Sequence, residues 1–142
     1  MSTHNSQFTV AIHILTLLAY SHEQQLTSEY IAGSVNTNPV VIRRLLGSLR
    51  EANLVSSQRG PGGGWLLARA ARGITLRDIY RAIAGGTLFP LHPSTPNQLC
   101  PVGGTIQSAL TGHFHDAQVA LEKDLEATSV ADLVRQVQGL NA

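Results

Sequence analysis

The stretch LTSEYIAGSVNTNPVVIRRLLGSLREANLVSSQRGPGGGWLL, residues Leu26 to Leu67, decides the fold. Thr27 opens it with a hydroxyl able to accept an orphan backbone N–H of a first helical turn. A helix follows from Ser28 to about Ser34, with Tyr30, Ile31 and Val35 as apolar anchors. Asn36 and Thr37 make a turn. Asn38 caps a second helix, and Pro39 takes its first position, where the missing N–H costs nothing. This helix runs to about Ala52, and Ile42, Leu45, Leu46 and Leu49 form its inner stripe. Val40, Val41, Arg43, Arg44, Gly47 and Ser48 are left facing elsewhere. Two short helices across a tight turn, the second cationic on its outer face, match a helix-turn-helix, although a helical hairpin in a core shares that pattern. The next segment separates the two. Leu54–Gln58 reads as a strand, Arg59–Gly64 as a turn and Trp65–Ala68 as a returning strand, which is the wing of a winged helix. Gly60, Gly62 and Gly63 permit positive φ and a close backbone approach to a partner. Arg59, at the mouth of the turn, can enter a minor groove or hold a phosphate. A nucleotide phosphate loop would need Lys-Ser/Thr and a helix after its last glycine, whereas Trp65 and a strand follow here.

Outward from this stretch, Phe8 to Tyr20 is apolar over so much of its helical surface that it should be buried on two sides, against its own domain and against something else, such as a partner subunit. Ser21–Gln25 is a polar loop. Arg69–Gly73 is a linker, and Thr75 with Asp78 starts a helix from Leu76 to Ala84 that buries Leu76, Ile79, Tyr80 and Ile83. Gly85 and Gly86 end it. Residues 87–101 hold Pro90, Pro93, Pro96 and Pro101 and form a loop. A long helix from about Gly104 to Ala127 carries Ile106, Leu110, Phe114, Ala117, Leu121 and Leu125 in a narrow seam, as an intersubunit helix pair requires. Thr128 or Ser129 caps a last helix, Val130 to Gln138. The expected organisation is a DNA-binding unit at 1–86, a proline-rich loop with Cys100 at 87–103, and a dimerisation helix with a short terminal helix at 104–142. The fold class is mainly α with a small β-hairpin (α+β).

Charge is distributed unevenly behind a net +1 over 142 residues. Residues 36–81 carry Arg43, Arg44, Arg50, Arg59, Arg69, Arg72, Arg77 and Arg81 against Glu51 and Asp78, a net of +6. Residues 82–142 carry Lys123 and Arg135 against Asp116, Glu122, Asp124, Glu126 and Asp132, a net of −3. A basic middle between acidic ends suggests one surface facing a polyanion. Hydrophobic residues make up 43% of the chain, enough for a real core. A single cysteine, Cys100, excludes an internal disulfide framework and fits a reducing compartment. MSTHNSQ at the start contains no Lys or Arg, so no secretory n-region precedes the apolar run. That run is shorter than the roughly 20 residues a bilayer needs. The expected location is therefore cytoplasmic, with no membrane partner.

LVSSQRGPGGGWLLAR (Leu54 to Arg69), followed by GITLRDIYRAIAG (Gly73 to Gly85), closely resembles the Rrf-two family of bacterial winged-helix transcription regulators. The resemblance covers nearly the whole chain. It implies a homodimer with crossing long helices that places two winged helices on a palindromic operator in double-stranded DNA. The matching reading positions are Thr37, Asn38, Val40, Val41, Arg43 and Arg44, and the matching wing positions are Arg59, Gly60, Gly62 and Gly63. Val40 and Val41 depart from a polar reading head; they can touch thymine methyls or leave base reading to the arginines.

Cluster-binding members of that family carry three cysteines before the dimer helix. Cys100 alone stands at the matching place, and one thiolate per subunit cannot supply the usual ligation of an iron–sulphur cluster. The histidines (His4, His13, His22, His92, His113 and His115) do not repair this, since His113 and His115 fall on different helical faces, although His92 and Cys100 share a loop. The expectation is no metal, no cofactor and no catalysis. Cys100 has two readings: a small loop residue, or a redox-sensing thiol acidified by the dipole of the helix that follows. The chain is thus expected to be a dimeric, sequence-specific DNA-binding regulator, a repressor responsive to a redox or small-molecule signal. The competing readings are a winged-helix protein-interaction module and a metal- or cofactor-dependent sensor using Cys100.

Overall fold

A computed structural model describes residues 3–22, 24–85 and 87–142. Its elements are α1 (Thr3–Tyr20), α2 (Ser28–Val35), α3 (Pro39–Glu51), β1 (Val55–Gln58), β2 (Gly64–Leu67), α4 (Leu76–Ala84), α5 (Ile106–Glu126) and α6 (Val130–Leu140). The fold is mainly helical with one antiparallel hairpin. Glu23, in the expected polar loop, and Gly86, the second glycine of the expected stop, lie outside the described residues.

Local chemistry sets most boundaries. The Thr27 hydroxyl accepts the Tyr30 N–H at 3.1 Å and starts α2. Asn36 ends it at φ +64, a left-handed conformation that asparagine tolerates, and the Thr37 N–H returns to the Ala32 carbonyl. Asn38 Oδ1 accepts the Val40 N–H at 2.8 Å, with Pro39 in the first turn of α3. Ile42, Leu45, Leu46 and Leu49 are all buried. On α2 the expected anchors need correction. Ile31 and Ala32 are buried beside Ser28, but Tyr30 is 60% exposed. Residues 28, 31, 32 and 35 share one helical face, and residue 30 lies about 100° from residue 31 on the wheel.

α1 begins five residues before the apolar run and is the central post. Ala11, Ile14, Leu15 and Leu18 are buried, and the helix packs chiefly on α4 and α6. The wing pairs Val55 with Leu67, Ser56 with Leu66, Ser57 with Trp65 and Gln58 with Gly64. Leu26 adds a one-residue third strand, exchanging bonds of 3.1 and 2.8 Å with Trp65. The start of the stretch is thereby tied to its end.

The two C-terminal helices pack differently. α5 rests on α4 and has no fully buried residue. α6 instead returns to the core. The Val130 N–H donates to the Ile74 carbonyl at 2.8 Å and the Leu76 N–H to the Thr128 carbonyl at 3.0 Å. Val130 and Ile74 are both completely buried. Capping boxes at Thr75/Asp78 and Ser129/Asp132 flank this junction and start α4 and α6 side by side.

Candidate nucleic-acid interface

The Asn36 turn presents the N-terminal half of α3 outward. Asn38 spends its side chain on the cap. Val40 is 51% exposed, whereas Val41 is partly buried against the core and offers less surface than the sequence suggests. Thr37 is also partly buried. Arg43 and Arg44 are exposed one and two positions beyond the buried Ile42. Arg43 Nη1 lies 3.4 Å from Glu29 Oε1 of α2, a solvent-exposed pair. Arg44 and Arg59 have no ion-pair partner among the described residues.

The wing turn is built by backbone. Gly60 and Gly62 adopt φ +92 and +74, and the Gly63 N–H closes on the Gly60 carbonyl at 2.9 Å. A Cβ on Gly63 would stand 2.3 Å from the Gln58 carbonyl oxygen, closer than two such atoms can approach. These glycines are demanded by the turn itself, which leaves Arg59 as its exposed charged side chain.

Arg50, two turns beyond Arg43 on α3, was not singled out by the sequence. Its guanidinium sits 5.5 Å over the Trp65 ring and donates to Ser57 Oγ at 3.3 Å. A cation over an aromatic face and a bond to the opposite strand tie the wing to the end of the exposed helix. Arginine at a seven-residue spacing from Arg43, with an aromatic after the glycine run, was the available signal. Glu29 and the exposed Tyr30 beside the same face were likewise missed.

The charge count overstates the basic surface. Arg77 and Arg81 turn to Glu122 and Glu126 of α5, and Arg69 lies 3.7 Å from Asp78. Part of the basic middle is thus neutralised inside the chain. Arg44, Arg50, Arg59 and Arg72 are exposed and absent from these ion pairs, and Arg43 meets only the exposed Glu29.

Cys100 is exposed in a turn closed by its own carbonyl, which accepts the Gly104 N–H at 2.8 Å. Backbone N–H groups of Gly103 and then Val102 pull the thiol below its ordinary pKa. These N–H groups belong to the turn that precedes α5, which starts at Ile106. His13 pairs with Ser34 at 2.9 Å, and His22, His92, His113 and His115 are exposed. The six seam residues of α5 are all half-buried, with Phe89 of the proline-rich loop stacked on Phe114 at 5.2 Å.

A capped helix-turn-helix with a short wing beside its exposed helix defines the winged-helix transcription regulators. The model of the Rrf2 family, described as iron-dependent transcriptional regulators, matches residues 4–136, and the chain belongs to that family. It is similar to YwnA, a helix-turn-helix protein of Bacillus subtilis (strain 168), at 42% identity over 134 residues, covering 94% of this chain and 98% of YwnA. It is 31% identical over 135 residues to the transcriptional regulator IscR of Cereibacter sphaeroides, covering 95% and 86% of the two chains. A crystal structure described as a candidate DNA-binding protein superposes with a TM-score of 0.71 at 38% identity, covering 89% and 97%. The structure of CymR, the global cysteine regulator of B. subtilis, shares the fold at a TM-score of 0.70 and 24% identity, covering 96% of each chain.

The family description invokes iron, but the donor set does not fit such a centre. The chain has one thiol, and no group of three His, Cys, Asp or Glu residues among the described residues stands close enough to hold a metal ion. No described helix is long and apolar enough to cross a membrane.

Proposed function

We propose that this transcription regulator acts in the cytoplasm as a homodimer that binds a palindromic operator and represses, without catalysis. The observation carrying this reading is the pairing of an exposed α3 face, with Val40, Arg43 and Arg44, to a wing tip bearing Arg59, the two joined through Arg50 and Trp65. Arginine's planar fork suits guanine edges and phosphates alike. Arg43 and Arg44 read the major groove and Arg59 holds the flanking backbone. Thr37 and Asn38 set the approach of α3. Gly60, Gly62 and Gly63 let the wing come close. Dimerisation is supported by α5, whose apolar seam Ile106, Leu110, Phe114, Ala117, Leu121 and Leu125 stays half-exposed in one chain. The test is selection of bound duplexes from a random pool with the purified protein, together with its mass by light scattering. A palindromic site bound by a dimer supports the reading; binding no better than non-specific refutes it.

A redox response at Cys100 is a second reading, supported by an exposed thiol whose pKa is lowered by turn N–H groups. Alkylation faster than that of free cysteine, with oxidant-driven DNA release lost in Cys100→Ser, is the expected pattern. Ordinary reactivity and unchanged release in that variant end the idea.

A further inference from the structure

Within its own chain α5 packs mainly on α4, and the contact is polar and keyed. Arg77 and Arg81 stand one turn apart on α4. Gln118, Glu122 and Glu126 stand one turn apart on α5. Arg77 Nε lies 3.4 Å from Glu122 Oε1, Arg77 Nη1 lies 3.0 Å from Glu126 Oε2, and Arg81 Nε lies 2.5 Å from Glu122 Oε1. Gln118 Nε2 donates to the other Glu122 oxygen at 3.0 Å and reaches the Tyr80 hydroxyl at 3.3 Å. The Gln118 carbonyl oxygen accepts the Leu88 N–H at 2.7 Å. The Glu122 side chain is only 14% exposed, and both of its oxygens are engaged. Tyr80 in turn meets Phe8 of α1 edge-on at 5.6 Å.

Exposed ion pairs add little to stability. Their geometry is more consequential here. Turning α5 relative to α4 would pull the Glu122 carboxylate from Arg77, Arg81 and Gln118 together. We infer that Arg77, Arg81, Gln118, Glu122 and Glu126 form a joint that holds the winged unit at one angle to α5, and that this joint sets the half-site spacing the dimer accepts. The inference rests on the dimeric reading proposed above. The five are positioning residues: none needs to touch DNA. Each base pair added between half-sites moves one of them by about 3.4 Å and rotates it by about 35°. A rigid joint rejects that change, and a loose one follows it.

The test uses the full chain and the selected operator. Affinity is measured for that operator, for duplexes with the spacer lengthened or shortened by one base pair, and for a lone half-site. The parent is expected to disfavour the altered spacers by about tenfold or more. Glu122→Ala and the Arg77→Ala/Arg81→Ala pair are expected to narrow this to about threefold or less, with half-site affinity and dimer mass unchanged. Should either variant fail to fold, the exchange Arg81→Glu with Glu122→Arg re-forms the 81–122 pair in reverse beside the untouched Arg77–Glu126 pair and is expected to restore discrimination relative to Arg81→Glu alone. Variants that remain dimeric and keep the parent's spacing preference overturn this inference. A monomeric parent, or one indifferent to paired half-sites, overturns the dimeric reading and this inference with it.

Discussion

Replacing Arg59 by alanine isolates the wing. Arg59 is exposed and has no ion-pair partner among the described residues, and the turn around it is held by backbone bonds and glycines. Thermal stability should therefore move by no more than about 0.5 kcal/mol. DNA binding should change in a defined way. Each phosphate neutralised by a cation contributes roughly 0.9 to the slope of log K against log salt. A two-fold dimer carries two wings, so the variant should lose about 1.8 from that slope. Between 50 mM and 200 mM salt the parent should then lose roughly tenfold more affinity than the variant does. The gap between them is widest at low salt and closes as salt rises. Fluorescence anisotropy on the selected operator and on a scrambled duplex, at four salt concentrations, measures this directly. A phosphate contact weakens both duplexes alike. A minor-groove contact instead weakens the operator more, at specific positions. An unchanged slope with parental affinity on both duplexes would remove the wing from the interface.

Three further outcomes follow from particular contacts. Val130→Ala deletes two buried methyl groups, about 1.6 kcal/mol of transfer free energy plus a cavity term, for a total of roughly 2–3 kcal/mol. A melting point lowered by roughly 6–10 °C is expected, and a shift under about 1 °C would show that α6 is no part of the cooperative core. Gly63→Ala drives a Cβ toward the Gln58 carbonyl oxygen, so it should weaken operator binding while helical circular dichroism persists; Gly33→Ala, with open space around it, should not. The third outcome concerns pH. Gln118 and then Arg81 hold the Glu122 carboxyl below its ordinary pKa, and the Ser129 N–H and hydroxyl do the same for Asp132. Folded pKa values below the unfolded ones mean that these contributions are present above about pH 4.3 and 3.9 and are lost as pH falls through the lowered folded values. Glu122→Gln should flatten the acid limb of a stability–pH curve; an unaltered limb would show that Glu122 plays no part in it.

Much of this molecule was determined within short windows of sequence. Thr27, Asn38 with Pro39, and Thr75 with Asp78 act on N–H groups two or three residues away, so the starts of α2, α3 and α4 were legible without tertiary information. The wing was legible for the same reason, because glycine takes the positive φ of Gly60 and Gly62 more readily than any other residue. The candidate reading face followed from helical phase at Ile42, Leu45, Leu46 and Leu49. Tertiary structure decided what depends on distant partners. Tyr30 faces outward because Ile31 and Ala32 take the buried face of α2, which packs on α1 and α3. α6 returned to the core through Val130 and Ile74, 56 positions apart, a pairing that no local pattern encodes. Arg77 and Arg81 count as basic in any sum along the chain, yet they face Glu122 across 45 and 41 residues. A charge total records which groups exist. Only the packing of α4 on α5 says which of them are already paired, and so which arginines stay free on the surface.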